Sequence, residues 1–286
     1  MRVGVGLPNW IPGAPGVTMA AWARRAEQRG FSSVATIDRI VYPSLDPLLC
    51  LAAAASVTER IGLLTNVLLA PTRDPVLLAK ASASLHALSA GRFTLGVAPG
   101  IRPEDFQAVG RDFAARGNRL DHTLELLHRL WRGETVDGAD GQVAPLPAGG
   151  QGVPILIGGT SRRAAERLAR WGTGWTAPGM DPSAIGPLVE RMLAAWHAGG
   201  RTGSPWIVAL SMFALGPGAE EAAYRTVTGY YGTEPWAQAA ARGVPTTPEA
   251  INGVLSTFRA SGVDEVILNP TVPDIDQVDR LADVVF

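Results

Sequence analysis

The chain has 286 residues, of which 47% are hydrophobic and 18% are charged, and its formal net charge is −1. This composition supports a large core, argues against disorder, and leaves no basic field to hold nucleic acid or an anionic membrane surface. With a single cysteine, Cys50, no apolar run of membrane-spanning length and no secretory leader, the sequence predicts a cytoplasmic protein without internal disulfides.

Short apolar runs alternate with amphipathic helical segments along the whole chain. In the first half, strands are predicted at residues 2–7, 33–37, 61–66 and 93–98. Helices are predicted at residues 18–29, from 47 onward, 75–91 and 116–132. Asp46 and Asp74 each precede a proline, a pair that favours a helix beginning with an aspartate cap. The loop after the fourth strand carries Arg102, Glu104 and Asp105.

The second half continues this pattern after a segment rich in glycine and proline, residues 133–152, which predicts a hairpin or a lid. Strands are predicted at residues 153–157, 174–177, 206–215 and 264–268. Helices are predicted at residues 161–171, 182–198 and 274–283, with uneven helix over 219–242. Thr246 and Glu249 have the spacing of a capping box that opens a further helix.

These elements predict a single-domain α/β protein with the (β/α)8 TIM-barrel fold. The strands are apolar without alternation, as expected when one face lines a barrel core and the other is covered by helices. The fold then carries two insertions, one after strand 4 and its helix and one after strand 7. In such a barrel the functional residues lie in the loops that follow the strands.

The turn Gly158-Gly159-Thr160-Ser161 joins a predicted strand to a predicted helix. Glycines let the backbone approach a ligand, and a helix N-terminus favours an anion, so the turn suits a phosphate. An ordinary tight turn between strand and helix has the same composition. The local sequence leaves both interpretations open.

Polar residues also follow strands 2 and 3. Asp38 and Arg39 come at the end of strand 2, where a functional role and an ion pair at the rim are both possible. Asn66 ends strand 3, where its side chain either faces the barrel mouth or caps the strand.

Aromatic residues cluster in the same predicted loops. Trp10 follows strand 1 and Tyr42 follows strand 2, and both are candidates to line a substrate pocket. Further aromatic residues in strand 6 and in the second insertion are Trp175, Tyr230, Tyr231 and Trp236. Packing under loops is the alternative for each of them.

Two other patterns predict structural roles. The four histidines show no spacing typical of metal ligands, so no metal site is expected. The arginines of one predicted helix are expected to form a solvated face: Arg162, Arg163, Arg167 and Arg170.

Several phrases together resemble the luciferase-like flavin-dependent oxidoreductases, the family of bacterial luciferase and of deazaflavin-dependent reductases. The phrases are AAASVTERI at 53–61, PVLLAK at 75–80, LSAGRFTLGV at 88–97, RGNRLD at 116–121, PILIGGT at 154–160 and GTGW at 172–175. The likeness covers nearly the whole chain, and its implied fold is the same barrel.

This resemblance implies a flavin ring across the carboxyl ends of the strands, packed against the end of strand 3. It implies a non-proline cis peptide at Asn66-Val67 or one residue earlier, and a phosphate at the turn after strand 5. The cofactor residues that it implies are Asn66, Val67, Ala98, Gly158, Gly159, Thr160 and Ser161. Asp38 and Arg39 would lie beside the reacting centre, and Trp10 and Tyr42 on the substrate side.

The chain departs from the family pattern at three positions. Pro99 stands where luciferase has an arginine, which leaves Arg102 to assist the phosphate. Thr173 replaces the usual aspartate of a Gly-Asp-Gly-Trp phrase, and Arg39 replaces a common histidine. Because arginine does not give up its proton, it would hold a phosphate, a carboxylate or a developing oxyanion instead.

The predicted function is therefore a luciferase-like monooxygenase that uses reduced FMN, supplied by a separate flavin reductase, on a small organic substrate. One alternative is hydride transfer with the deazaflavin coenzyme F420, and another is a flavin-binding protein without turnover. The apolar run at residues 48–57 suits the two-fold contact of a homodimer.

Overall fold

The computed structural model describes residues 1–136, 138, 140–150 and 152–286. Asp137, Ala139 and Gln151 belong to the segment predicted as a hairpin or lid and lie outside the described residues. Within that segment Thr135 and Gln142 form one antiparallel bridge, which agrees with a short hairpin.

Eight parallel strands close into a barrel in chain order, and the last strand pairs with the first. The strands are β1 (Arg2–Gly6), β2 (Ser33–Thr36), β3 (Gly62–Thr65), β4 (Phe93–Val97), β5 (Ile155–Gly158), β6 (Gly174–Thr176), β7 (Trp206–Phe213) and β8 (Glu265–Pro270). In the closing pair Val5 lies opposite Leu268. The predicted TIM barrel is confirmed.

Helices follow each strand and surround the barrel. They are α1 (Thr18–Gln28), α2 (Pro47–Ala55), α3 (Pro75–Leu88), α4 (Pro103–Gln107), α5 (Arg116–Trp131), α6 (Arg162–Trp171), α7 (Gly186–Ala198), α8 (Ala219–Tyr231), α9 (Pro235–Arg242), α10 (Pro248–Ala260) and α11 (Asp276–Val285). Among the described residues, none of these helices combines the length and apolar character needed to cross a bilayer.

The predicted helix starts are confirmed where a side chain caps them. Asp46 accepts hydrogen bonds from the amides of Leu48 and Leu49, and Asp74 does the same at the start of α3. The predicted capping box at Thr246 is wrong by one position. Thr247 caps α10 instead, because its hydroxyl accepts the hydrogen bond from the Ala250 amide at 3.2 Å.

Two irregular segments are more regular in the structure than the sequence indicates. The predicted loop with Glu104 and Asp105 forms the short helix α4. The uneven stretch after β7 divides into α8 and α9, because Gly232 (φ 94°) ends the first helix and Pro235 begins the second. Both helices lie over the carboxyl end of the barrel, where β7 and β8 end.

The core has two layers. Inside the barrel a small apolar cluster fills the centre: Ala35, Leu64, Leu156, Val208 and Ile267. A larger cluster lies between the strands and the helices and includes Trp22, Trp131 and Phe258. Cys50 lies in this outer layer, and burial raises the pKa of its thiol to about 12.

The sequence analysis made predictions for one face of α6 and one face of α2. Arg167 was expected on a solvated face, but its side chain is buried and pairs with Asp121 at 2.6 Å. The expectation was wrong because a helical face between neighbouring helices can bury an arginine whose charge is paired. On α2, Leu49 is 73% exposed. The homodimer stays a prediction.

Candidate active site

The barrel mouth carries polar side chains directly above the apolar centre. Asn66 lies two residues after Leu64, and Asn269 lies two residues after Ile267. Since side chains alternate along a strand, both amides point into the barrel. Thr176 joins them, because its hydroxyl donates to Asn66 Oδ1 at 2.7 Å. This hydrogen bond fixes the Asn66 carboxamide with its NH2 group away from Thr176.

A shallow cradle lies beside these residues, at the ends of β3, β4 and β5. A Cβ atom added to Gly158 would lie 3.1 Å from Val67 Cγ1 and 3.2 Å from Ala98 Cβ. The peptide bond between Asn66 and Val67 is cis, as the resemblance implies. The structure therefore brings together four of the predicted cofactor residues: Asn66, Val67, Ala98 and Gly158. Any side chain at position 158 would press against Val67 and Ala98.

The turn after β5 continues from this cradle to the protein surface. The Gly159 carbonyl accepts from Trp175 Nε1 at 2.7 Å, and the Thr160 carbonyl accepts from Arg191 at 3.0 Å. Ser161 caps α6 through the Ala164 amide. In the part of the chain that the structure describes, the amides of residues 159–161 donate to no protein acceptor. The turn thus presents free N–H groups at a helix N-terminus, which attracts an anion.

The arginines near the turn have partners of their own. Arg162 pairs with Glu166 at 2.8 Å, and Arg163 lies 3.7 Å from Asp121. Both side chains are largely exposed, at 92% and 66%. Arg102, expected to assist the phosphate, donates instead to the Tyr230 carbonyl at 2.7 Å. The turn therefore combines free backbone amides with the guanidinium of Arg191, which donates to the Thr160 carbonyl.

Asp38 connects the segment after β2 to the segment after β3. Its carboxylate accepts from the Leu69 amide at 2.8 Å and lies 3.3 Å from Arg73, which also pairs with Asp46. Burial raises the pKa of Asp38, while Arg73 and the Leu69 amide oppose that rise. These contacts hold the chain just beyond Asn66 in place.

The raised pKa of Asp38 predicts a pH dependence of stability. The pKa of Asp38 is higher in the folded protein than its unfolded value of about 4, so the folded protein holds this proton more tightly. The resulting stabilisation is fully present below about pH 4 and is lost as the pH rises through the folded-state pKa. We expect the wild type to lose stability over this range relative to the Asp38→Asn variant. Denaturant unfolding of both proteins at several pH values between about 4 and 8 measures the difference. Parallel pH profiles would contradict the assignment to Asp38.

Arg39 is held by the short helix α4. Its Nε donates to Asp105 at 2.8 Å, and its Nη2 lies 3.2 Å from Glu104. Asp105 also accepts from the amides of Ile40 and Val41. The side chains of Arg39 and Asp105 are 7% and 1% exposed, so this is a buried ion pair. Arg39 occupies the predicted position but is already paired.

Tyr230 is the centre of an aromatic group over the mouth. Its ring packs edge-on against Trp10 at 5.3 Å and Tyr42 at 5.1 Å between centroids. The guanidinium groups of Arg39 and Arg102 lie 5.4 and 5.7 Å from the same ring. The predicted substrate residues Trp10 and Tyr42 are thus brought together by the insertion after β7.

The sequence analysis missed three site residues of this region: Asp105, Asn269 and Thr176. Asp105 gains its position through a contact with Arg39 that is distant in sequence, and no local pattern indicates it. Asn269 and Thr176 carry a usable signal, because each is a polar residue at the end of a buried strand. In the described residues, no three histidine, cysteine, aspartate or glutamate side chains are grouped as a metal site would require.

The region has an unusual share of buried polar atoms without a protein partner. Among the described residues these atoms include Trp10 Nε1, Tyr42 OH, Thr36 Oγ1, Asn66 Nδ2 and both amide atoms of Asn269. Buried polar groups are normally hydrogen-bonded, and an exception calls for a specific reason such as a ligand. Their presence at the mouth fits a polar molecule that binds there.

Two solved structures share this barrel along almost its full length. The monooxygenase RslO1 from Streptomyces bottropensis superposes with a TM-score of 0.82 at 22% identity, covering 99% of this chain and 97% of that one. An F420-dependent secondary alcohol dehydrogenase in complex with an F420-acetone adduct gives 0.79 at 18% identity, covering 100% and 98%.

A third structure is the oxygenating constituent of 3,6-diketocamphane monooxygenase from Pseudomonas putida, in complex with FMN. Its TM-score is 0.74 at 17% identity, covering 99% of this chain and 96% of that one. At these identities all three structures support the fold alone.

The sequence comparisons are more specific. The 4-hydroxyprotoasukamycin monooxygenase of Streptomyces nodosus subsp. asukaensis is 32% identical over 211 residues, which are 67% of this chain and 56% of that protein. The luciferase-like monooxygenase family matches residues 1–274, nearly the whole chain. This protein therefore belongs to the luciferase-like monooxygenase family.

Proposed function

We propose that the protein is a flavin-dependent monooxygenase that uses reduced FMN on a small organic substrate. The observation that carries this proposal is the cradle at Gly158, which continues directly into a turn with free backbone amides. In this proposal a flat ring system would lie against the first part, and a phosphate would bind at the second. Membership of the family supports the same assignment.

The residues present fit FMN at both ends. Val67, Ala98 and Gly158 would hold the ring by shape, since a Cβ atom at Gly158 would fill the space between the other two. The amides of Gly159, Thr160 and Ser161 would hold the phosphate at the start of α6. Reduced flavin, when bound, would supply the two electrons that an oxygenation consumes.

The remaining residues shape and shield the pocket. Trp10, Tyr42 and Tyr230 form an apolar wall that excludes water from the space above the mouth. In this proposal Asp38 and Arg39 act as positioning residues rather than reacting groups. Asp38 holds the chain after Asn66, and Arg39 keeps a fixed positive charge beneath Tyr42 and Tyr230.

Coenzyme F420 is the second candidate cofactor. It shares the flat ring system but has a longer acidic tail, which needs an open exit and nearby positive charge. The exposed start of α6 provides the open exit, and Arg191 at the Thr160 carbonyl, with Arg162 and Arg163 nearby, provides the positive charge.

Anaerobic titration with reduced FMN and with reduced F420 tests the proposal. We expect saturable binding of reduced FMN. Once air is admitted, the bound flavin should be oxidised, and a suitable substrate should be oxygenated at the same time. Tighter binding of F420, with hydride transfer and no need for oxygen, would replace the first proposal with the second. Binding without turnover of any candidate substrate would favour the flavin-binding protein, and binding of neither cofactor would overturn the assignment.

A further inference from the structure

Asn269 stands out among the buried polar residues of the mouth. It is fully buried, yet neither its Oδ1 nor its Nδ2 has a hydrogen-bond partner among the described residues. An unpaired buried amide costs stability, so a protein keeps one only where something else is gained. Asn66 is also a buried asparagine at the mouth, but its Oδ1 already accepts a hydrogen bond from the Thr176 hydroxyl.

The neighbouring strand makes room for the Asn269 side chain. A Cβ atom added to Gly6 would overlap Asn269 Oδ1, so any larger residue there would displace the amide. On the other side Met212 lies opposite Asn269 in the β7–β8 register. The amide therefore lies at the carboxyl end of β8, enclosed by a glycine of β1 and an apolar side chain of β7.

A carboxamide with both atoms free offers one donor and one acceptor side by side. This pattern is complementary to an imide, in which an N–H lies between two carbonyl groups. The ring systems of FMN and F420 share such an edge at N3. The free Asn66 NH2 group adds a second donor from β3, which suits a carbonyl oxygen of the same ring.

We propose that Asn269 recognises the imide edge of the flavin-type cofactor, with Oδ1 accepting from N3–H and Nδ2 donating to an adjacent carbonyl. This inference rests on the proposed function, because it requires that a flavin or deazaflavin binds at the mouth. It adds β8 to the cofactor site and makes Asn269 a specificity-determining residue. The same pairing serves FMN and F420, so it does not depend on which of them binds.

The test compares whichever cofactor the wild type binds with its N3-methyl derivative, which lacks the imide proton. We expect the wild type to bind the N3-methyl form about tenfold to hundredfold more weakly, as for the loss of one or two buried hydrogen bonds. The Asn269→Ala variant should bind the parent cofactor more weakly by a similar factor. It should distinguish the two forms by no more than about threefold, as measured by fluorescence titration.

A stability comparison separates ligand recognition from a structural role. Asn9 is a buried asparagine whose side chain bonds to Ile37 and Leu45, so Asn9→Ala should lower the stability of the cofactor-free protein. Asn269→Leu keeps the side-chain shape and removes two unpaired polar atoms. Its stability in the cofactor-free state should equal or exceed that of the wild type.

Each contrary result has a distinct meaning. Equal binding of the two cofactor forms by the wild type, or full discrimination by Asn269→Ala, would overturn the role of Asn269 while the cofactor assignment stands. If Asn269→Leu loses as much stability as Asn9→Ala, then Asn269 has hydrogen-bond partners within the protein. That result would also overturn its proposed role in cofactor recognition. Failure of the wild type to bind either cofactor would overturn both proposals.

Discussion

Replacing Gly158 by aspartate is expected to weaken binding of FMN by at least about a hundredfold. The new Cβ would lie 3.1 Å from Val67 and 3.2 Å from Ala98, and so would fill the cradle. The carboxylate would also place a negative charge beside the amides that receive the phosphate. Equilibrium titration of the purified variant measures the loss.

A matched control is Gly253→Asp in α10. A Cβ atom there meets nothing within 4 Å, and the residue is exposed, so cofactor affinity should stay at the wild-type value. Thermal unfolding of the cofactor-free Gly158→Asp protein shows whether the barrel remains folded. A folded Gly158→Asp variant that binds FMN as tightly as the wild type would remove this glycine from the cofactor site.

The second large effect concerns the ion pair under the aromatic wall. Asp105→Ala is expected to lower the free energy of unfolding by about 3–5 kcal/mol, because it removes the buried partner of Arg39 and leaves only the half-exposed Glu104 as a counter-charge. The amides of Ile40 and Val41 lose their acceptor in the same variant. Urea denaturation compared with the wild type gives the difference.

Glu104→Ala is the control for this experiment. Glu104 contacts the same arginine, but its side chain is 43% exposed, so its removal should cost less than about 1 kcal/mol. Similar losses for the two variants would mean that burial of the Arg39–Asp105 pair has no special energetic weight. The contrast between neighbouring carboxylates on one short helix isolates the effect of burial.

Local signals in the sequence predicted most of the fold. The caps at Asp46 and Asp74 were correct because the hydrogen bonds that make them lie within three residues of the aspartate. The cap of α10 was misplaced because two adjacent threonines offer the same chemistry. Helix α4 was read as a loop because it is only five residues long, too short for a clear period.

The site was only partly accessible to sequence reasoning. Residues at strand ends meet at one rim in any parallel barrel, so Asn66, Ala98 and Gly158 could be placed together from the fold alone. The contact between Arg39 and Asp105 joins residues 66 positions apart, and Tyr230 reaches the mouth from a separate insertion. Neither follows from spacing, because each depends on how one loop packs on another.

The insertion that carries Tyr230 is one continuous stretch of chain, α8 and α9, inserted between β7 and α10. The ring of Tyr230 lies near the guanidinium groups of Arg39 and Arg102, and apolar residues of both helices pack in the same cluster as Trp10 and Met212. Because it is one continuous segment, this insertion could be exchanged as a unit during evolution. Such an exchange would change the residues over the barrel mouth and leave the barrel strands and the proposed cofactor residues unchanged. A chimeric protein that carries the α8–α9 insertion of a relative would then have the substrate specificity of that relative.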